Sequence, residues 1–228
     1  MAPMEHAMDA PTGLTAPQKT ILDAIAVDPY FLQTFYLTGG TALSAWYLHH
    51  RESYDLDFFC DSPFGGERIM RWFRQFRDVL GYTSIRFDED YGFLMCYLRF
   101  PKNQVVKIDF HDYKARRLKK GILWKGLSVD SLYDIAVNKL RTIATVPRTR
   151  DYVDLYCLLA RHSYTLKALR RDAQKKFREE IDPLQLAQNF LKVEECVDMP
   201  IMIIPFEKKD MSMFYQQLAL KLKTKIFL

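Results

Sequence analysis

The sequence predicts an α/β (α+β) fold, in which a small mixed β-sheet is flanked by helices and followed by a C-terminal helical bundle. Short apolar runs alternate with helical repeats as far as residue 112. Helical periodicity then dominates from residue 127 to the C-terminus. The 228 residues are 49% hydrophobic and 27% charged. This composition is typical of a globular chain that is long enough to bury a core.

Alternating strands and helices are predicted in the N-terminal half. Thr15 has the side chain of a helix cap, and apolar residues recur at helical spacing over residues 17–27. A buried strand over residues 35–38 ends at two glycines, which open a helix over residues 41–50. The other elements predicted here are a strand over 54–60, an amphipathic helix over 67–80 and strands over 82–87, 92–100 and 104–112.

The C-terminal half is predicted to be helical throughout. The predicted helices cover residues 131–144, 149–161, 166–177, 183–196 and 211–225. We therefore expect two domains, a mixed α/β domain over residues 1–126 and a helical domain over residues 127–228. Residues 1–13 read as a flexible leader.

Composition excludes several classes of protein. No stretch approaches the roughly 20 apolar residues of a membrane span, and the N-terminus lacks the basic and apolar segments of a secretory signal. The four cysteines are far apart and lie among apolar neighbours, which favours buried, reduced thiols over zinc or disulfides. These features predict a cytoplasmic protein without a membrane segment.

Two acidic residues, Asp55 and Asp57, stand out in the strand predicted over residues 54–60. At positions i and i+2 their side chains share one face, about 6–7 Å apart at the backbone. Two like charges at that spacing repel each other, and a folded protein tolerates them best when a cation between them offsets the repulsion. Oxygen ligands favour magnesium or manganese. Asp109, on the polar face of a later strand, is a candidate third carboxylate, whereas a solvated edge strand is the alternative interpretation.

The glycine pair Gly39-Gly40 lies between a predicted strand and a predicted helix. Free backbone N–H groups and the positive end of the helix dipole meet at such a position. Glycine lets a ligand approach the backbone closely, and Thr41 adds a hydroxyl. The pattern suits a phosphate group, although most glycine pairs are only turns.

These motifs resemble the AbiEii/AbiGii toxin family, which belongs to the DNA polymerase β-like nucleotidyltransferase superfamily. Residues 39–43 read Gly-Gly-Thr-x-Leu, and residues 51–59 read Arg-x-Ser-x-Asp-Leu-Asp-Phe-Phe. Downstream, residues 107–110 read Lys-Ile-Asp-Phe, residues 138–140 Asn-Lys-Leu and residues 148–155 Arg-Thr-Arg-Asp-Tyr-Val-Asp-Leu. The resemblance covers about residues 35–160 and makes residues 1–126 the catalytic domain of a nucleotidyltransferase fold.

The resemblance implies a role for each matching residue. Two Mg²⁺ ions, with Mn²⁺ as a substitute, would be held by Asp55, Asp57 and Asp109. The catalytic residues would be Asp55, Asp57, Asp109, Lys139 and Asp151. The nucleoside triphosphate (NTP) would be bound by Gly39, Gly40, Thr41, Arg51, Ser53, Lys139 and Asp154. Arg51 and Ser53 could equally brace the acidic strand, and Asp154 could equally be a buried partner of Arg148 or Arg150.

Positive charge is concentrated in two runs, within a formal net charge of +5. One run is Lys114, Arg116, Arg117, Lys119, Lys120 and Lys125; the other is Lys167, Arg170, Arg171, Lys175 and Arg178. Such runs are usually solvated faces, but beside a nucleotide-transfer site they suit a polyanion such as RNA. The chain contains no DNA-specific motif.

The sequence thus predicts the toxin of a bacterial toxin–antitoxin, phage-defence system. It would move a nucleoside monophosphate from an NTP to an RNA acceptor, most simply tRNA, and a cognate antitoxin would be its partner. Two alternatives stay open. One is a nucleotidyltransferase that modifies a small molecule of the antibiotic type. The other is a non-catalytic domain that binds an NTP or a partner protein.

Overall fold

The computed structural model describes residues 11–223, and within them the strands form one seven-stranded mixed sheet. The strands are β1 (Tyr36–Thr38), β2 (Leu56–Cys60), β3 (Ser84–Asp90), β4 (Phe93–Arg99), β5 (Val105–Asp112), β6 (Ile122–Trp124) and β7 (Leu127–Val129). They lie in the order β3-β4-β5-β2-β1-β7-β6. Strand β2 is parallel to β5 and antiparallel to β1, and β1 is parallel to β7. The predicted α/β fold is confirmed.

Helices flank this sheet and form the C-terminal bundle. They are α1 (Ala16–Ile25), α2 (Pro29–Thr34), α3 (Gly39–Leu43), α4 (Gly66–Gln75), α5 (Arg77–Leu80), α6 (Leu132–Thr145), α7 (Thr149–Arg161), α8 (Leu166–Phe177), α9 (Pro183–Leu191) and α10 (Lys208–Lys223). Helix α3 continues into a π-helical turn, Ser44–Leu48, which ends at His49 in the left-handed conformation. Helix α9 is followed by a 3₁₀ turn, Lys192–Glu195.

One face of the sheet forms the main hydrophobic core. Because side chains alternate along a strand, the fully buried Leu37, Phe58 and Phe110 share this face. The rings of Phe58 and Phe110 stack with centroids 5.2 Å apart. Helices α2 and α4 contribute Phe31 and Trp72, whose rings meet edge to face at 4.8 Å. The opposite face carries the polar residues of β2 and β5.

Helix boundaries agree with the sequence where caps mark them. Thr15 and Gln18 form a reciprocal capping box at the start of α1. Helices α7 and α8 have the predicted boundaries. The helix predicted over 183–196 is interrupted after Leu191. The last helix begins three residues earlier than predicted, at Lys208, and residues beyond 223 lie outside the described part of the chain.

The expectation of helix throughout from residue 127 is wrong. Strand β7 begins at Leu127, forms a hairpin with β6 and pairs in parallel with β1 inside the sheet. The division into domains 1–126 and 127–228 stays a prediction, and a boundary there passes through the β6–β7 hairpin.

Other expectations concern the termini and the cysteines. The predicted leader lies mostly outside the described residues, and the Thr12 N–H already donates to the Ala45 carbonyl at 3.1 Å. All four cysteines are buried free thiols, as predicted. Between residues 11 and 223, no helix has both the length and the apolar character needed to cross a membrane.

Candidate active site

Strand register brings the predicted acidic residues to one place. Asp57 lies opposite Thr38 on β1 and opposite Asp109 on β5. Paired residues of neighbouring strands project from the same face, so Asp57 and Asp109 share the polar face of the sheet. The strand predicted over residues 54–60 begins only at Leu56. Asp55 therefore precedes β2, and its carboxylate lies 3.4 Å from the Arg150 guanidinium.

Burial and neighbouring negative charges both raise the pKa of Asp57. Burial, then Asp109, then Asp55 raise its pKa to about 6. Burial also raises the pKa of Asp109, although the Lys107 ammonium opposes this shift. Lys107 Nζ contacts Asp109 Oδ2 at 2.6 Å. Asp109 Oδ1 is buried, and no atom of residues 11–223 forms a hydrogen bond with it.

The donor chemistry of these residues fits a hard divalent cation. Asp55, Asp57 and Asp109 offer only oxygen ligands, and the unpartnered Oδ1 of Asp109 is a buried acceptor that a cation would satisfy. The carboxylates are nevertheless spread out, since no group of three His, Cys, Asp or Glu side chains in the described part of the chain is close enough to hold a metal. The predicted set of magnesium ligands therefore stays a prediction.

The glycine pair approaches the same acids from α3. Gly39 has a φ of +75°, and a Cβ at this position would overlap the Asp57 carboxylate. Only glycine combines this positive φ with the absence of a Cβ atom. The Thr41 hydroxyl turns away from the cavity, because it donates to the Asp55 carbonyl and contacts Ser53 Oγ at 3.0 Å. It holds the segment before β2 in position.

A second group of acids lies on α7, where Asp151 and Asp154 are fully buried. Lys139 of α6 contacts both, with Nζ 2.8 Å from Asp151 Oδ1 and 2.6 Å from Asp154 Oδ2. Arg51 binds Asp154 with two nitrogens, Nε at 2.6 Å and Nη2 at 2.9 Å. His50 Nε2 adds a contact at 2.8 Å. We call these five residues the charge hub.

The charge hub keeps its acids ionised. Burial acts to raise the pKa of Asp154, but Lys139 and Arg51 outweigh it and hold that pKa well below the usual range. The pKa of Asp151 is lowered in the same way, against burial, by Lys139 and Arg148. Burial lowers the pKa of His50, so the ring is neutral at pH 7.

Two adjoining cavities open beside these acids. The smaller has a volume of about 150 Å³ and is lined by nine of the eleven predicted site residues. They are Gly39, Gly40, Arg51, Ser53, Asp55, Asp57, Asp109, Lys139 and Asp151. The other two, Thr41 and Asp154, lie behind its wall. The larger cavity, about 660 Å³, shares Arg51, Ser53, Asp55, Arg148 and Arg150 with the smaller one.

Several residues that line the small cavity had no role predicted from the sequence. They are Phe59, Lys107 and Asn138. Arg148 and Arg150, which also line it, were suggested only as partners of Asp154. The position of Lys107 could be predicted from side-chain alternation, because Lys107 precedes Asp109 by two residues in one strand. The partners of Asp154 could not be predicted in this way, since Arg51 lies 103 residues away in the sequence. The suggested pairing of Asp154 with Arg148 or Arg150 is not observed, because Asp154 pairs with Arg51, Lys139 and His50. A role for Arg51 in binding phosphate stays a prediction.

The segment before α10 completes the wall of the larger cavity. The Ile203 N–H donates to the His50 carbonyl and the Glu52 N–H donates to the Ile201 carbonyl, both at 2.9 Å. Met202 forms a β-bridge with Arg51. The C-terminal segment thus fixes the backbone that carries two members of the charge hub.

Comparison with known proteins extends the likeness over most of the chain. A family model described as "Nucleotidyl transferase AbiEii toxin, Type IV TA system" matches residues 20–222. An uncharacterized protein of Aquifex aeolicus (strain VF5) is 31% identical over 159 residues. That match covers 63% of this chain and 66% of the relative, so just under two thirds of the relative's length is spanned.

Two solved structures from Helicobacter pylori share the fold. One is described as a candidate nucleotidyltransferase; it has a TM-score of 0.58 and 19% identity, and the likeness covers 92% of both chains. The other, JHP933, has a TM-score of 0.54 and 20% identity, covering 92% of this chain and 90% of its own. At these identities the likeness shows the fold alone.

Proposed function

The chain belongs to the AbiEii family of nucleotidyltransferase toxins from type IV toxin–antitoxin systems, and we propose that it transfers a nucleoside monophosphate from an NTP to an acceptor hydroxyl. The new bond joins the acceptor oxygen to the α-phosphorus, the bond between the α- and β-phosphates breaks, and pyrophosphate leaves. The observation that carries this proposal is the pairing of Asp57 with Asp109 on one sheet face, at a cavity lined by cations.

The cations of the cavity suit the triphosphate. Lys139, Arg148 and Arg150 line the same cavity as the paired acids, and positioning with charge neutralisation supplies most of the catalysis in phosphoryl-type transfer. Gly39 and Gly40 let phosphate oxygens approach the backbone of α3. The charge hub keeps Lys139 protonated, because Asp154 and Asp151 raise its pKa against the effect of burial.

The paired acids suit the acceptor side of the reaction. Magnesium held by Asp55, Asp57 and Asp109 would neutralise phosphate charge and favour ionisation of the acceptor hydroxyl. Asp109 Oδ1 has no hydrogen-bond partner among the described residues, so this oxygen would hold the magnesium ion that favours ionisation of the hydroxyl. Asp151 positions Lys139 and Arg148 through contacts of 2.8 and 2.9 Å.

We assign RNA, and tRNA in particular, as the acceptor. The support is the basic run over residues 114–120, whose Lys114, Arg116 and Lys120 are exposed. The run on α8 is weaker support, since Arg171 pairs with Asp172 at 2.8 Å and Arg170 donates to the Ile181 carbonyl. The proposal also includes a cognate antitoxin as the partner of this protein, and a role for the pair in phage defence.

Radiolabel transfer tests this function. Protein, magnesium and total tRNA are incubated with each α-labelled NTP in turn, beside a matched Asp57→Asn protein. We expect label on RNA with at least one NTP, and none with the variant or with a chelator. An absence of label, or equal label with the variant, contradicts the proposal.

A small-molecule acceptor is the second candidate. The larger cavity is lined by Glu52, Glu195 and Asp198 in addition to its cations, and such carboxylates could hold a cationic substrate. Metal-dependent pyrophosphate release with an aminoglycoside-type amine, without labelling of RNA, would favour this candidate.

A further inference from the structure

The polar face of β5 carries more than the acid at position 109. Lys107, Asp109 and His111 alternate along this face, and Tyr113 follows directly after the strand. Phe59 of β2 and Phe93 of β4 are both in register with His111. A strip of rings therefore begins beside the catalytic acid and continues along the strand.

The rings of this strip are in contact and partly exposed. His111 meets Phe59 edge to face at 5.4 Å and Phe93 at 5.2 Å. The Phe59 and Tyr113 rings are 4.5 Å apart. Each of the four has intermediate exposure, whereas Leu94 and Phe110 on the other face are fully buried. Phe59 also lines the catalytic cavity. We call these four residues the aromatic strip.

A basic loop, residues 114–120, continues from the end of the aromatic strip. It borders a cavity of about 730 Å³ that is lined by its cations together with Asp61. Its backbone is held in place, because the N–H groups of Leu118 and Lys119 donate to Asp134 at 2.8 and 2.9 Å. Asp134 is anchored by Lys176 at 2.7 Å. The exposed cations thus project from an ordered loop.

We propose that the aromatic strip and the basic loop bind the single-stranded 3′ end of the RNA acceptor, an inference that rests on the proposed function. The strip stacks unpaired bases, and the loop holds phosphates further from the end. Stacking on aromatic rings beside cations is the usual way to grip single strands without reading their sequence. The four residue-to-residue steps from Asp109 to Tyr113 span roughly 13 Å, the rise of about four stacked nucleotides.

Position and charge favour this occupant over a protein partner. The strip is continuous with the catalytic cavity through Phe59, so a strand lying on it places its terminal hydroxyl near Asp109. The loop supplies five cations within seven residues, Lys114, Arg116, Arg117, Lys119 and Lys120. A polyanion that needs both flat rings and positive charge is a nucleic acid with unpaired bases.

Fluorescence anisotropy of a labelled, unstructured 12-nucleotide RNA tests the proposal, without NTP and over a range of salt. In Phe93→Leu/His111→Leu we expect at least about tenfold weaker binding, since each stacked base contributes roughly five- to 150-fold in affinity. Phe93→Tyr keeps the ring and should keep the affinity. Phe87→Leu is the matched control, because Phe87 is a partly exposed phenylalanine in register with the core-facing Cys96. Its affinity should equal that of the unmodified protein.

The loop is tested by the salt dependence of the same binding. Lys114→Gln/Arg116→Gln/Lys120→Gln should reduce the slope of log affinity against log salt by about 2, at roughly 0.7 for each phosphate that the loop no longer neutralises. Lys19→Gln, an exposed lysine of α1, should leave the slope unchanged. Thermal unfolding of each variant excludes misfolding as the cause.

Two results would overturn the inference. One is equal affinity of the unmodified protein and the ring-deleted variant; the other is a slope that the loop substitutions leave unchanged. The proposed function is tested separately, by label transfer. If the ring-deleted variant labels tRNA with an unchanged KM, the strip is wrong and the enzyme assignment stands. If no RNA is labelled but the oligonucleotide binding shows the expected pattern, the strip stands and the reaction is wrong.

Discussion

The aspartates of this protein fall into two groups that lie within one site but in opposite electrostatic surroundings. On the polar face of the sheet, Asp57 and Asp109 lie side by side, and burial and like charge outweigh the nearby lysines, so their pKa values are raised. In the charge hub, Asp151 and Asp154 are surrounded by cations, and their pKa values are lowered. The first group carries unsatisfied charge that a ligand can meet. The second is satisfied by the protein itself and serves to hold Lys139 and Arg51 in place.

The largest effect should come from the paired acids on the polar face of the sheet. Asp57→Asn keeps the size of the side chain and removes its charge, so transfer should fall by on the order of a thousandfold, about 4 kcal/mol. Single-turnover transfer to tRNA measures this, with circular dichroism as a check on folding. Substantial activity in the variant would contradict the assignment of Asp57 to the group of aspartates that binds a ligand.

The charge hub should respond through stability. Asp154→Asn leaves Arg51 and Lys139 buried without their shared partner, and the free energy of unfolding should fall by about 3 kcal/mol. Urea denaturation measures this. Glu180→Gln, at an exposed position between α8 and α9, is the control and should change stability by less than about 0.5 kcal/mol. A loss confined to activity would contradict the structural role of Asp154.

Removing the charge of Asp57 should have the opposite effect on stability. The folded-state pKa of Asp57, about 6, exceeds its unfolded value, so the folded state binds more protons between about pH 4 and 6. Stability contributed by the protonated form is lost as the pH rises through this window. Without metal, Asp57→Asn should therefore be more stable than the unmodified protein above pH 6, by about 1–2 kcal/mol after solvent screening.

This gain should disappear below about pH 4, where the acid is protonated in both states. Unfolding by urea across pH 4–8 in chelator gives the measurement. The difference in unfolding free energy between the variant and the unmodified protein should therefore be larger at pH 7 than at pH 4. A smaller difference at pH 7 would contradict the raised pKa of Asp57.

The smallest effect concerns Lys107, the cation nearest to the paired acids. Lys107→Gln removes a positive charge 2.6 Å from Asp109, so the apparent half-saturation concentration of magnesium should fall about fivefold. Magnesium titration of pyrophosphate release, repeated by manganese binding, measures this. Lys102→Gln, on the exposed turn of the same hairpin, should leave it unchanged. Weaker magnesium binding in Lys107→Gln would indicate that Lys107 assists the site.

Local sequence patterns were sufficient to predict elements whose structure depends on residues close in sequence. The cap at Thr15 and the periodicity of α7 and α8 mark helices that the structure reproduces. The three residues of β7 carry too short a pattern to be recognised as a strand, and β7 is held by parallel pairing with β1, which is distant in sequence. The candidate site divides in the same way. Alternation brings Asp57 and Asp109 to one face, but nothing local indicates that His50 and Arg51 bind Asp154.

The contact between the C-terminal segment and residues 50–52 has a consequence for the order of synthesis. Ile203 and Met202 fix the backbone of His50 and Arg51, and Tyr215 of α10 donates to the Tyr152 carbonyl of α7 at 2.7 Å. These residues are synthesised after the segments that they hold. A toxin built this way can assemble its site only once residues 202–215 have been made, so a chain interrupted before them lacks the contacts that hold Arg51 and α7 in place.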